Sequence, residues 1–185
     1  MAMRQACAPS GRQRGVTLIE QVMVVAILGI MAAIAMPSLV SLLQRSQVRV
    51  AQAEFIAALQ HARGSAALSG KPTLFCPSRD GAHCSGETRW EYGWLVGHDP
   101  ARQGQPDPAP LRVRAGYDGI TILGDSGRRL TRFQSDGSAS GMTNTLRFCR
   151  RGRTEDALVV VISNAGRVRG ASASAEQAAS CAAAR

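Results

Sequence analysis

Apolar and polar positions divide the chain into two regimes. From Val16 to Leu43 the side chains are almost all apolar, and Glu20 carries the only formal charge. As an α-helix rising 1.5 Å per residue, that stretch is roughly 42 Å long, enough to cross a hydrocarbon core of about 30 Å. Beyond it the spacing becomes amphipathic. Leu39, Leu42, Leu43, Val50, Ala53, Ala57, Ala58 and Leu59 give a partly apolar face, while Arg45, Arg49, Gln52 and Glu54 fall elsewhere. Gly64 and Gly70 mark the end of this helix.

From Lys71 the period shortens. Strand-like runs at Thr73–Cys76, Trp90–Val96, Leu111–Ala115, Gly119–Leu123, Leu130–Gln134, Thr145–Arg150, Ala157–Ser163 and Arg167–Arg169 alternate with Gly, Pro, Asp and Ser. Ala101–Pro110 is a Pro- and Gly-rich loop, and the small, polar tail from Ala171 is expected to be extended except where a cysteine pins it. The expected fold class is α+β: one long N-terminal helix, half membrane-spanning and half amphipathic, on an antiparallel β-sandwich-like head. The expected segments are 1–15 as a polar, basic leader, 16–43 as the membrane half-helix, and 44–185 as the head with the second half-helix.

Charge sharpens this picture. The net charge is +9, from 22 Lys and Arg of which Lys71 is the one lysine. Residues 1–15 carry three Arg and no acid; residues 16–127 are balanced; residues 128–169 hold nine Arg against Asp136, Glu155 and Asp156. If 167–169 is extended, Arg167 and Arg169 share one face and Val168 takes the other, with their Cα atoms about 6–7 Å apart. That spacing suits two guanidinium groups on neighbouring phosphates. Arg147, Arg150, Arg151 and Arg153, in an adjacent strand and loop, could widen the patch. Gly166 permits a positive φ and lets a phosphate approach the backbone. Arginines at i and i+2 of an edge strand also occur simply as a solvated face that discourages edge pairing.

The N-terminal residues bear a family resemblance. An ordinary secretory signal is cut after its apolar region; here the plausible point lies before it. Gly15-Val16-Thr17-Leu18-Ile19-Glu20 resembles the class III leader of type IV pilins and type II secretion pseudopilins. The resemblance implies that a prepilin peptidase cuts after Gly15, that Val16 becomes the methylated N-terminus where Phe is usual, and that Glu20 pairs with a neighbouring subunit's amino terminus during filament assembly. It also implies an inner-membrane anchor in lipid, a periplasmic head that becomes surface-exposed in the pilus, and other pilins as partners. An acid in an apolar stretch is costly in lipid, so a role for Glu20 is expected on physical grounds as well. Pro37 falls where the family carries a helix-perturbing proline.

In the head, Tyr92-Gly93-Trp94, Arg132-Phe133-Gln134-Ser135-Asp136-Gly137, Leu146-Arg147-Phe148-Cys149 and Ser163-Asn164-Ala165-Gly166-Arg167-Val168-Arg169 resemble the FimT/GspH branch of minor pilins and pseudopilins. In the FimT branch a Gly-Arg-x-Arg motif is associated with DNA binding in natural transformation, and Gly166, Arg167 and Arg169 match it. The resemblance implies sequence-independent capture of DNA, since Arg–phosphate contacts read no bases. The rival is a structural minor pilin or a GspH-like pseudopilin with no DNA role, its arginines facing acidic partner subunits.

Other features carry less. Trp90, Tyr92 and Trp94 alternate and are read as a core face under the helix rather than a base-stacking platform. Three His and the head cysteines lack metal spacing, and no Ser/His/Asp set or phosphate loop is evident, so no cofactor, metal or enzymatic activity is expected. Four head cysteines allow three pairings; Cys76–Cys84, a short loop, with Cys149–Cys181 is favoured. Mass spectrometry of the protein from its native host is expected to find a chain that starts at a methylated Val16; retention of residues 1–15 would overturn the leader assignment.

Overall fold

The structure, a computed structural model, describes residues 17–184 other than 126, 140 and 142, with the backbone alone for 37–44. Gly15, Val16 and the leader lie outside the described residues. The chain forms two compact units, Met1–Ser41 and Leu42–Arg185.

Helix α1 is Leu18–Ser69. It starts after Thr17, whose hydroxyl accepts the Glu20 amide at 3.4 Å. Glu20 therefore sits in the first turn, where a carboxylate is favoured by the helix dipole. Within the first unit, Leu18–Met36 is apolar enough to span a membrane, with mean hydropathy 2.3. The helical backbone continues through position 37.

In the second unit α1 buries Val48, Ala51, Phe55, Ala58, Leu59, Ala62 and Ala66, a stripe at helical spacing. This face is rotated from the expected one: Val50, Ala53 and Ala57 are exposed. The expected face omitted Phe55, the largest apolar side chain available, and the stripe follows it.

Two four-stranded antiparallel sheets pack with this stripe. The first runs β3-β2-β1-β5, the second β4-β6-β7-β8. Their strands are β1 Thr73–Pro77, β2 Gly93–His98, β3 Pro110–Ala115, β4 Ile120–Leu123, β5 Thr131–Phe133, β6 Asn144–Arg150, β7 Leu158–Ile162 and β8 Val168–Ser172. Phe75, Trp94, Val96 and Phe133 from the first sheet join Ile120, Ile122, Leu146, Phe148, Val160 and Ile162 from the second in one core. Phe55 lies among them, its ring 5.4 Å from Phe75 and 5.0 Å from Phe148.

The first sheet is covered on its other side too. Leu74, Cys76 and Leu95 form a small second cluster beside Cys84 and Leu130. The Pro- and Gly-rich loop is held from within: buried Asp99 accepts the amides of Gln103 and Gly104 at 2.7 and 3.0 Å and the Arg132 guanidinium at 2.6 Å. Such a carboxylate is tolerable in the interior because several donors satisfy it.

The tail departs from expectation. Residues Ala175–Ala183 form helix α2, opened by a capping box between Ser174 and Gln177. Ser-x-x-Gln before an alanine-rich run is the sequence signal for it. Both disulfides have the favoured pairing, Cys76–Cys84 and Cys149–Cys181. The second fixes α2 against β6. Substituting Phe55 by Ala is expected to destabilise the head by about 3–5 kcal/mol, because a ring shared by both sheets leaves a cavity that neither can fill alone. Chemical denaturation of the detergent-solubilised chain checks this, and a loss below about 1 kcal/mol would contradict it.

Candidate nucleic-acid interface

The hairpin between β7 and β8 presents the two arginines of interest. Ser163 and Arg167 close it: the Ser163 amide donates to the Arg167 carbonyl at 2.9 Å, and the Arg167 amide to the Ser163 hydroxyl at 3.1 Å. Val168 then turns inward and packs on the main core, while Arg167 and Arg169 are both exposed. Arg169 lies in register with Val161 of β7, which pairs with Thr145 of β6. Neither arginine has an ion-pair partner among the described residues.

Edge strand β8 is tied to α1. Gln52 donates through Nε2 to the Val159 carbonyl at 2.8 Å and to the Ala171 carbonyl at 3.2 Å. A side chain at Gly170 would meet Ile56 and Gln52 within 3.0 Å. Both are flexible side-chain ends, so the arginine-bearing strand is held to the helix by the two Gln52 hydrogen bonds.

Gly166 has a different role from the one expected. Its φ is +74°, as foreseen, but the residue is buried. A Cβ here would overlap the Gly137 carbonyl oxygen and lie 3.2 Å from Arg63 Nε. The close approach that glycine permits is therefore taken by the chain's own 134–138 turn, and no room remains for a phosphate. The Ala139 amide completes the junction, donating to Asn164 O at 2.9 Å.

The remaining arginines do not join this face. Arg147 is largely buried and ion-paired with Asp125, and it also donates to the Ser180 hydroxyl at 3.3 Å. Arg150 is 7% exposed and paired with Glu155 at 3.1 Å. Arg153 reaches Glu155 at 3.9 Å, and α1's Arg45 reaches Asp156 at 3.1 Å. Arg151 and Arg153 occupy the β6–β7 turn, at the opposite end of β7 from Arg167, and five strand residues span about 13 Å. The sequence cluster is thus divided: Arg147, Arg150 and Arg153 are ion-paired away from the hairpin and Arg132 is paired with Asp99, while Arg167 and Arg169 stand unpaired among the described residues at the β7–β8 end.

One cation near the pair was missed by sequence reasoning because it lies on the helix, more than 100 positions earlier. Arg63 is exposed and donates through Nε to the Gly137 carbonyl at 3.0 Å. Its i+3/i+4 relation to the buried stripe was the available signal.

The aromatic residues supply no platform at this face. All Phe and Trp are buried. Trp90 and Trp94 share the core as expected, but the chain turns between them, and Tyr92 is exposed with the Arg79 guanidinium 3.8 Å from its ring centre. Trp94 Nε1 donates to the Tyr117 hydroxyl at 3.0 Å, and that hydroxyl donates to Glu54 at 2.7 Å. Burial pushes the Tyr117 phenol well above its ordinary range. His83 lies 2.8 Å from Asp80, whose carboxylate is held far below its usual range by that contact and by the His83 and Ala82 amides. Ser78 also hydrogen-bonds Asp80 rather than the histidine, so the trio is a loop fastening rather than a nucleophile and base.

Comparison with known proteins fits this architecture. The family model for type II transport protein GspH matches residues 51–166, well over half of the chain. The chain belongs to the GspH family. The prokaryotic N-terminal methylation motif also matches, at residues 10–36. A crystal structure of the type IV minor pilin FimU of Pseudomonas aeruginosa is 26% identical, with TM-score 0.56, covering 66% of this chain and 91% of FimU. A second crystal form gives 24% identity and TM-score 0.58, covering 71% and 92%. The minor pseudopilin EpsH from the type 2 secretion system of Vibrio cholerae is 16% identical, with TM-score 0.49, covering 68% and 97%. No curated protein matches in sequence. This GspH-family chain is a minor pilin or pseudopilin, and its methylation motif and apolar helix fit a membrane-anchored subunit. Family membership implies contacts with other pilins.

Replacing Gly166 with Ala is expected to destabilise the head by roughly 1–3 kcal/mol from the left-handed backbone alone, with the Gly137 clash in addition. Arg167→Ala should leave the melting temperature unchanged. Equal stability of Gly166→Ala and the parent in thermal unfolding would show that the hairpin can relax away from Gly137.

Proposed function

We propose that this protein is a minor pilin of a type IV pilus whose head binds DNA without sequence preference and supports DNA uptake in natural transformation. The observation carrying this reading is the pair Arg167 and Arg169, both exposed and without a counter-ion among the described residues, mounted on an edge strand that α1 holds in place. Unneutralised guanidinium groups on a rigid support attract phosphate, and releasing the counterions condensed on DNA contributes to affinity. The Gly-Arg-x-Arg resemblance gives that chemistry a partner. Arg147 and Arg150 are assigned to internal ion pairs, and Gly166 to hairpin packing. Arg151 and Arg153 stand apart from the site.

The same proposal places the subunit in the inner membrane with its head in the periplasm until it enters a filament and becomes surface-exposed. A prepilin peptidase would cut after Gly15, leaving Val16 as the methylated terminus. Glu20, four residues on, would meet a neighbouring subunit's amino terminus in the assembled filament. The methylation-motif match supports this reading, as does the likeness to FimU, described as a type IV minor pilin.

The test is duplex binding by the processed, detergent-solubilised chain across a salt series. Arg167→Ala with Arg169→Ala is expected to weaken binding at low salt at least tenfold and to flatten the log–log salt dependence by about 1.8, with thermal unfolding unchanged. Undiminished binding would remove the DNA reading. It would leave the pair to face acidic surfaces of neighbouring subunits, as in a purely structural minor pilin or a pseudopilin of a type II secretion system.

A further inference from the structure

We infer that Arg63, projecting from α1, is a third phosphate-contacting residue of the Arg167/Arg169 face; this rests on the DNA reading above. Three elements distant in sequence meet at a single carbonyl, that of Gly137. Arg63 donates to it through Nε at 3.0 Å. Gly166 packs against it so closely that only glycine fits. Arg63 Nε is 3.2 Å from where a Gly166 side chain would begin, and Arg167 is the next residue in the chain. One consecutive Cα step is about 3.8 Å, so the Arg63 guanidinium lies beside the hairpin that carries the pair.

That guanidinium is only partly used. Nε is its one hydrogen-bonded nitrogen among the described residues, and no carboxylate lies within ion-pair distance of it. The two terminal nitrogens keep their four N–H donors. The turn's own acid, Asp136, is folded back on itself: its carboxylate accepts the Ser138 amide at 2.8 Å and is held below the usual carboxylate range by Ser138. The turn is fixed at several points, with the Gln134 amide on Ser138 O and the Gly137 amide on Gln134 O, both at 2.8 Å. Arg102 also reaches Gln134 Oε1 at 2.8 Å. Nε anchored to a fixed turn restricts the Arg63 side chain before any ligand arrives, so less rotamer entropy is lost on binding.

A residue that only tethered the turn would also affect binding if removed, by letting the hairpin move. Salt dependence separates the two roles, because each direct phosphate contact adds about 0.9 to the slope on duplex DNA. The experiment compares the processed full chain with Arg63→Ala, Arg63→Lys and Arg167→Ala/Arg169→Ala on a random-sequence duplex, with thermal unfolding measured for each. The expected result is that Arg63→Ala flattens the slope by about 0.9, so that between 50 and 200 mM salt it loses about 3.5-fold less affinity than the parent. Arg63→Lys, which keeps the charge, should keep the parent slope. If both Arg63 variants keep the parent slope while the double variant flattens it, Arg63 is a tether and the inference is overturned with the DNA reading intact. If Arg63→Ala unfolds, flattening by Arg63→Lys would overturn it equally, since a charge contact survives that exchange. If the double variant also binds like the parent, the DNA reading itself fails.

Discussion

Phe55 holds the head together because it meets both sheets from a single position on α1. Its ring is within 5.4 Å of Phe75 in one sheet and 5.0 Å of Phe148 in the other, and it lies 6.0 Å from Trp90, Trp94 and Tyr117. Several of these approaches are edge-to-face, the arrangement the ring quadrupole favours. The main core shared by the two sheets is completed by the helix, whose stripe is mostly alanine on either side of Phe55. The small residues Ala51, Ala58, Ala62 and Ala66 let backbone approach backbone, while Phe55 supplies the volume. The hydrophobic effect thus fixes the rotation of α1, and everything mounted on the helix inherits that setting.

Among those dependents is the edge strand β8. Edge strands are ordinarily the loosest part of a sheet, yet Gln52, about one turn before Phe55 on the same helix, ties this one down. Gly166 gives up a side chain so that the Gly137 turn, which binds Arg63, can approach. The glycine before Arg167 and Arg169 is thereby explained by packing alone. The motif Gly-Arg-x-Arg is a piece of hairpin architecture whose arginines are the residues left over for solvent or a ligand.

The sequence disclosed the plan of the molecule better than its site. Short strand-like runs between Gly, Pro, Asp and Ser placed all eight strands to within a few residues, and the long apolar run marked the helix, because turn residues and burial both leave a local trace. The helix face was misjudged by counting alanines without weighting Phe55. The tail helix was missed because small residues carry little periodic signal, although its capping box was legible. On the β7–β8 hairpin, the shared outward face of Arg167 and Arg169 was legible in their spacing. Arg147 and Arg150 were assigned to the same patch because proximity in sequence cannot show that Asp125 and Glu155 neutralise them. Arg63 was out of reach for the opposite reason: its nearness to the hairpin exists only once α1 and both sheets have assembled.

The same comparison separates net charge from available charge. An excess of six positive charges over residues 128–169 reads as a single basic surface, but strand β7 puts its two halves at opposite ends. At one end Arg150 and Arg153 share Glu155, and Asp156 draws Arg45 from the helix. An arginine bound to a carboxylate attracts phosphate only after that pair breaks, so these residues add little to affinity however many of them there are. Arg167 and Arg169 on β8, with Arg63 beside them, are exposed cations with no carboxylate partner among the described residues; Arg129 and Arg151 are exposed and likewise unpaired elsewhere. Under the proposed DNA reading, two or three phosphate contacts from one subunit would bind weakly at physiological salt, so binding stands or falls on these few residues rather than on the total charge of the segment.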